Sequence, residues 1–274
     1  LEENERFIRK WHSESHPLIR GMLGLHASFT VSNQTLERAK DSCEKYLVGF
    51  HLHVAEDNFD LQDSLLKYEK RVVQRLHDTA ILGEWTIAAH CVHIDEHEMD
   101  ILHHSGTLVV HNPSSNMFNG VGTADVPQML KRGVTVTLGT DGYSQNVFEE
   151  FARLPLVHRG AAKSPRAFSP EQAVDIAFRN NPKAVERIFG FSCGRLAGGF
   201  VADLILLRYD SPTPVTEGNV PTHLSYGVAA RPRVQSVMVN GNWVLKNGCF
   251  VNLDEAEVLA RARERAGVVW KKLK

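Results

Sequence analysis

Short runs that are apolar at every position recur along the first half of the chain, and each ends abruptly in a histidine or an acid. Thr86–Ala89 leads into His90, and Thr107–Val110 leads into His111. Leu47–Phe50 precedes His51, His53 and Glu56, Gly21–Leu25 precedes His26, and Val134–Leu138 runs through a glycine to Asp141. A strand with one face in water alternates apolar and polar residues. A run without alternation suits a strand covered on both faces, as in a parallel sheet layered with helices. Helical periodicity fills the spaces between the runs. It is clear over residues 1–20, from Ser32 or Asn33 behind a good N-cap to Tyr46, over 61–78 with a Leu/Val stripe, over Asp95–His104 and around Pro127–Arg132. A longer helical stretch is predicted from Asn146 to Gly190, broken near Lys163–Ser169 and Asn181–Pro182.

Strand–helix units of this kind, each with a polar residue at its carboxyl end, predict an α/β fold. The expected architecture is a partial (β/α) TIM-type barrel, about five of the usual eight units, over residues 1–195. A doubly wound sheet is the structural alternative, but the chain has no G-x-G-x-x-G turn. Glycines at 194, 198 and 199 mark a change of style, after which residues 196–253 alternate in the β manner. Asn240-Gly241 between two such runs predicts a hairpin, and the segment is expected to form β-sandwich strands. Residues 254–274 predict an amphipathic helix with a basic tail.

Composition narrows the partners. The 274 residues are 43% hydrophobic and 23% charged, with a formal charge of −1. That balance argues against nucleic acid or an anionic membrane as the main partner. No apolar run reaches the ~18–20 residues that span a bilayer, and the charged start does not read as a signal peptide. Cys43, Cys91, Cys193 and Cys249 lie far apart without C-x-x-C spacing. They suggest free thiols rather than a disulfide framework, hence a cytoplasmic protein with a small-molecule substrate. The oddity is 14 histidines, several of them at apparent strand ends.

Loops at the carboxyl ends of parallel strands carry the chemistry in such folds. Neutral histidines and a carboxylate converging there suit one divalent ion, zinc in first place and iron in second. Such an ion lowers the pKa of a bound water towards ~7. Around it Glu56 is placed to shuttle a proton to the substrate, His90 to orient the attacking oxygen, and Asp141 to bind the ion and take the water proton. His51 and His53 share a strand face. His12 and His16, and likewise His97, His103 and His104, lack such framing and read as solvated or supporting residues. The bland alternative is a set of buried histidines satisfied by backbone in a non-catalytic barrel.

At these residues the chain resembles the metal-dependent amidohydrolase superfamily, in its cytosine/guanine-deaminase and triazine-hydrolase (chlorohydrolase) branch. H-L-H-V-A-E resembles the family's H-x-x-E after strand five, T-I-A-A-H-C-V-H its strand-six motif, V-V-H-N-P-S-S-N its strand-seven motif and T-L-G-T-D-G its strand-eight aspartate. G-L-H-A-S is similar to the substrate-contacting segment after strand four, and G-R-L-A-G-G-F-V-A-D-L-I-L-L to the small closing β-sandwich. T-D-G-Y and H-N-P-S-S-N-M-F are most similar to an aminohydrolase group associated with selenium metabolism. The resemblance covers residues 20–274. It implies His53, His90 and Asp141 as metal ligands, Glu56 as proton shuttle, and His26 and His111 facing the substrate. The implied activity is hydrolysis of a C–N bond in a cyclic or heteroaromatic amine, with dechlorination or amide hydrolysis as alternatives on the same framework.

One feature of the family has no counterpart. Its first strand supplies an H-x-H pair to the metal, and W-H-S-E-S-H has the wrong spacing. The expectation is therefore a C-terminal part of a longer enzyme that associates with its N-terminal portion or with other copies through exposed strand edges. A catalytically inactive fragment acting as a structural module is the remaining alternative.

Overall fold

The computed structural model describes residues 1–273. In chain order the elements begin with α1 (Glu2–Glu14), β1 (Leu23–Ala27), α2 (Asn33–Tyr46), β2 (Phe50–Val54), α3 (Asn58–Tyr68) and α4 (Val72–Asp78). There follow β3 (Ile87–His90), α5 (Glu96–Ser105), β4 (Leu108–His111), α6 (Pro113–Phe118), α7 (Val126–Lys131) and β5 (Val136–Leu138). Then come α8 (Val147–Ala162), α9 (Pro170–Val174), α10 (Asn181–Phe189), β6 (Leu204–Leu207) and α11 (Val220–Thr222). The last elements are β7 (Val234–Val239), β8 (Asn242–Lys246), β9 (Cys249–Phe250) and α12 (Glu255–Lys272).

The first sheet is parallel and its order is the chain order, β1-β2-β3-β4-β5. A doubly wound sheet reverses direction at a switch point, and this one never does, so the expected barrel arc is what forms. Helices cover its outer face. Phe50, Leu52 and Val54 of β2 meet a core that includes Leu36, Val73, Met99 and Leu154. Burial on both faces holds for β3, β4 and β5, whereas β1 and β2 alternate. Gly24 and His51, paired in register, are exposed on the open inner face. Gly49 lets β2 start against the segment leading into β3, since a Cβ there would fall 1.8 Å from the Trp85 carbonyl oxygen.

The expected exposed strand edges are corrected by three asparagines. On the outer edge of β5, Asn181 accepts from the Leu138 amide (2.8 Å) and donates to the Leu138 carbonyl (3.0 Å), while Asn180 donates to the Val136 carbonyl (2.9 Å). On the outer edge of β1, Asn4 of α1 accepts from the Gly24 amide (3.0 Å) and donates to its carbonyl (3.4 Å). A primary amide carries the donor and acceptor of a peptide group, so Asn4 and Asn181 each take the place of one residue of a further strand, and Asn180 supplies the donor alone.

Other expectations need local revision. The helix over 61–78 is two helices, because Glu69 turns left-handed at φ 54° and α4 restarts with the Val73 amide donating to buried Glu98 (2.8 Å). The expected break at Asn181–Pro182 does not occur. Residues 175–180 form a π-helical turn that runs into α10, where Pro182 sits in the first turn and needs no amide partner. Residues 208–233 carry no strand and hold helical turns over Val220–Val228. The hairpin at Asn240-Gly241 forms with both residues at positive φ, between β7 and β8 of an antiparallel sheet ordered β6-β7-β8-β9. No helix among the described residues is long and apolar enough to cross a membrane.

Candidate metal centre

Parallel pairing puts the carboxyl ends of all five strands at one end of the sheet. Val54 of β2 lies opposite His90 of β3, and His111 of β4 lies opposite Leu138 of β5. The backbone turns sharply there. Ala55, His90, Cys91 and Asp141 all have positive φ, between 46° and 73°, a costly conformation for residues with a Cβ. Hydrogen bonds hold the turned tips, with Cys91 donating to the Val54 carbonyl (2.9 Å) and Val92 and His93 both donating to Ala55 (3.1 and 2.9 Å).

These turns bring four of the expected residues together. Glu56 Oε2 lies 3.3 Å from His53 Nδ1 and 3.5 Å from His90 Nε2, and Asp141 Oδ2 lies 3.7 Å from His90 Nε2. One donor atom from each of His53, Glu56 and His90 falls within 4.8 Å of the others. The His26 ring is 5.4 Å from that of His53. His26, His53, Glu56 and Asp141 share a cavity of about 480 Å³ with Phe29 and Asn119. A cavity of similar size, about 460 Å³, lies around Leu47, Phe50 and Trp85 at the amino-terminal ends of the strands and has no histidine in its wall.

The structure also supplies supporting residues that the pattern of strand ends did not reveal. P-S-S-N is not a loop but the helix α6, and its side chains reach three members of the cluster. Asn116 Oδ1 is 2.7 Å from His90 Nδ1, Ser115 donates to Asp141 Oδ2 at 2.6 Å, and Asn119 donates to Glu56 Oε1 at 3.3 Å. With the Asn116 carbonyl accepting, the His90 proton sits on Nδ1 and the Nε2 lone pair faces outward. That Nε2 is fully buried and has no partner among the described residues. A lone pair aimed at two carboxylates is repulsive unless a positive charge lies between them. Two imidazoles and two carboxylates form a donor set for a divalent cation, so the residues present fit the expected metal.

The charges respond to one another. The hydrogen bond between His53 and Glu56 raises the histidine above its ordinary pKa and lowers the acid below the usual carboxylate range, in each case against the effect of burial. Burial pushes the Asp141 carboxyl up, but the Ser115 hydroxyl and the Gly142 amide, helped by His90 and His53, more than offset it and leave it low. His51, uncommitted in the sequence, is pushed down, chiefly because its ring is partly desolvated between the strands and less by the neighbouring imidazoles of His53 and His90.

His111 is placed differently. It is fully buried, neither ring nitrogen has a partner among the described residues, and its ring centre lies 5.0 Å from that of His158, which lies 4.8 Å from that of Phe168. Burial drives both imidazoles towards the neutral form, His111 well below its ordinary value and His158 to about 4.

Asn116→Ala frees the His90 ring and its tautomer, and should weaken zinc binding by roughly 10–100-fold, measured by competition with a chromophoric chelator. A second expectation concerns His158. The unfolded chain takes up this proton below pH 6.5 and the folded chain only below about 4. His158 therefore removes stability as pH falls through that window, by about 3 kcal/mol at most. His158→Phe should flatten the fall in urea midpoint between pH 6.5 and 4 relative to wild type, and equal slopes would refute the neutral buried ring.

Comparison with known proteins gives the family and the fold. The model of the amidohydrolase family matches residues 1–244. The chain is 34% identical over 271 residues to a 5-methylthioadenosine/S-adenosylhomocysteine deaminase of Syntrophomonas wolfei, covering 97% of this chain and 62% of that protein. It is 34% identical over 270 residues to a 5'-deoxyadenosine deaminase of Methanosarcina mazei, covering 97% and 61%. Among solved structures, an adenosine deaminase from Xanthomonas campestris with bound zinc superposes with a TM-score of 0.86 at 23% identity, over 98% of this chain and 61% of that one. An atrazine chlorohydrolase from Arthrobacter aurescens complexed with zinc superposes with a TM-score of 0.80 at 21% identity, over 95% and 59%. The chain thus spans about three fifths of the length of the relatives it matches. With a family match over most of its length and histidines and acids gathered at the ends of a parallel arc, the chain belongs to the amidohydrolase family.

Proposed function

We propose that this chain carries the larger part of the active site of a metal-dependent hydrolase. The reading is that it replaces the exocyclic amine of a heteroaromatic ring by oxygen and releases ammonia. The observation that carries it is the meeting of His53, Glu56, His90 and Asp141 around a buried, unpartnered His90 Nε2. The naming of the relatives as nucleoside deaminases supports a purine-like substrate over a chlorinated ring.

His53, His90 and Asp141 are assigned to hold one divalent cation, zinc before iron. When bound, the cation supplies Lewis-acid activation of water near neutral pH. Glu56 lies on the cavity wall and is anchored by Asn119, which places its carboxylate to relay a proton from the attacking water to the substrate ring, while the second water proton passes by way of Asp141 to the leaving amine. Asp141, fixed by Ser115, is placed to take the proton of the attacking water. His90 orients the attacking oxygen. His26, on the cavity wall, is assigned to substrate contact, and His111, buried at the carboxyl end of β4, to the same purpose. The free thiols suit a cytoplasmic setting.

The relatives' greater length and the open inner face at Gly24 and His51 support a partner that covers this face, either an N-terminal portion of the same enzyme or further copies. Light scattering should then show association at micromolar concentration, and a cleanly monomeric species would count against copies as that partner.

Glu56→Gln should keep the metal and lose turnover by roughly 10²–10⁴-fold. Asp141→Asn should lose turnover together with metal while the sheet stays folded. Ammonia release, metal content and circular dichroism measured together check both. Unchanged turnover in either variant removes that residue from the mechanism, and release of chloride in place of ammonia refutes the deaminase assignment.

A further inference from the structure

Asp60 in the first turn of α3 is a carboxylate that the strand-tip pattern gives no reason to notice. It is 2% exposed and carries no ion pair among the described residues, although it borders the cavity. Both of its oxygens are spent on backbone amides from two different segments. Oδ1 accepts from Phe29 at 3.0 Å and Oδ2 accepts from Ala55 at 2.9 Å. With both oxygens already hydrogen-bonded to backbone amides, the carboxylate acts on the segments it holds.

Those segments are the ones that matter to the centre. Phe29 lies in the 3-10 turn Ser28–Thr30, three residues beyond His26. Ala55 stands between His53 and Glu56, at φ 46°. Its amide is held by Asp60 and its carbonyl by Val92 and His93, so the left-handed turn is pinned from both sides. The 3-10 turn is gripped independently by Arg75, 1% exposed. Its Nη1 donates to the Ser28 carbonyl and hydroxyl (both 2.8 Å), and Nη2 donates to the Val31 carbonyl (2.7 Å). The guanidinium in turn stacks 3.7 Å over the Tyr68 ring. What Arg75 does not do is reach the tip of β2. Among the described side chains, Asp60 alone hydrogen-bonds both the 3-10 turn and that tip.

We propose that Asp60 is a positioning residue for the centre, a two-ended strap that fixes the turn following His26 against the tip bearing His53 and Glu56. The inference rests on the reading of that cluster as a cation-dependent centre. Charge and shape both enter. A carboxylate offers an acceptor on each side at one fixed span, and charge-assisted bonds to amides are the strong kind. An asparagine of the same size keeps one acceptor and turns an amide donor towards the other N–H. The strap would then be cut at one end without leaving a hole.

The test compares wild type and Asp60→Asn by amide hydrogen exchange and by the visible absorption of the cobalt-loaded chain, with far-UV circular dichroism as the check on folding. The expected result is exchange faster by roughly tenfold or more, confined to residues 27–31 and 54–57, with β3 and β4 unchanged. The cobalt bands should shift and cobalt affinity should fall. Exchange unchanged in both segments, or accelerated across the whole sheet, overturns the proposal. So does a cobalt spectrum identical to that of wild type. If wild type itself shows no cobalt bands, the cation reading fails, and exchange alone decides whether the strap exists: local acceleration in both segments upholds it, and any other pattern sinks it.

Discussion

Everything at the candidate centre depends on the register of β2 against β3. Val54 pairs with His90 and His53 with Ala89, so the two tips end level and turn over the same edge of the sheet. Side chains alternate between faces with period two. A slip of one residue would send His53 to the helix-covered side and bring Leu52 to the cavity. Burial opposes such a slip, because Phe50, Leu52 and Val54 must reach the helices. The histidine pair is thus positioned by leucine and valine on the opposite face.

Beyond the register, the centre is maintained by groups that take no part in the chemistry. Two charged acids and two imidazoles within a few ångströms repel or attract strongly in a low dielectric, and three of them, Glu56, His90 and Asp141, are given a neutral neighbour that limits their motion. Ser115 and Asn116 lie on one six-residue helix and Asn119 caps its carboxyl end, and the start of that helix is tied down by Ser114 donating its amide to fully buried Glu150 (3.0 Å). Left-handed backbone at Ala55, His90, Cys91 and Asp141 is the energetic cost of aiming these side chains, and the hydrogen bonds across the tips offset it.

How much of this was legible depends on where the signal lies. Parallel strands announce themselves through unbroken apolar runs, and His26, His53, His90 and Asp141 stand at their ends in plain view. The N-cap before α2 and the turn at Asn240-Gly241 are local and formed as expected, and the helices predicted from Asp95 and Asp254 start at those residues. The failures share a cause. Six residues of P-S-S-N-M-F are too few to display a helical period. The restart of α4 is set by Glu98, 25 residues away, and the second Asp60 contact spans 31 residues. The π-helical turn before Pro182 follows from the demands of β5, whose edge needs Asn180 and Asn181 in place. Pairings between distant residues leave no mark on local pattern.

The order of the parallel sheet carries a further consequence. Each strand pairs with the strand that comes next in the chain, and no strand waits for a partner several units away. Loop closure is therefore never longer than one strand–helix unit, which keeps its entropic cost low and nearly the same at every step. A sheet of this order can grow in the direction of synthesis, each unit docking on the finished edge of the one before. The cation centre, drawing on β2, β3 and the turn after β5, is then completed only when the last strand arrives. Ligand assembly in such a chain is a late event in folding rather than its nucleus.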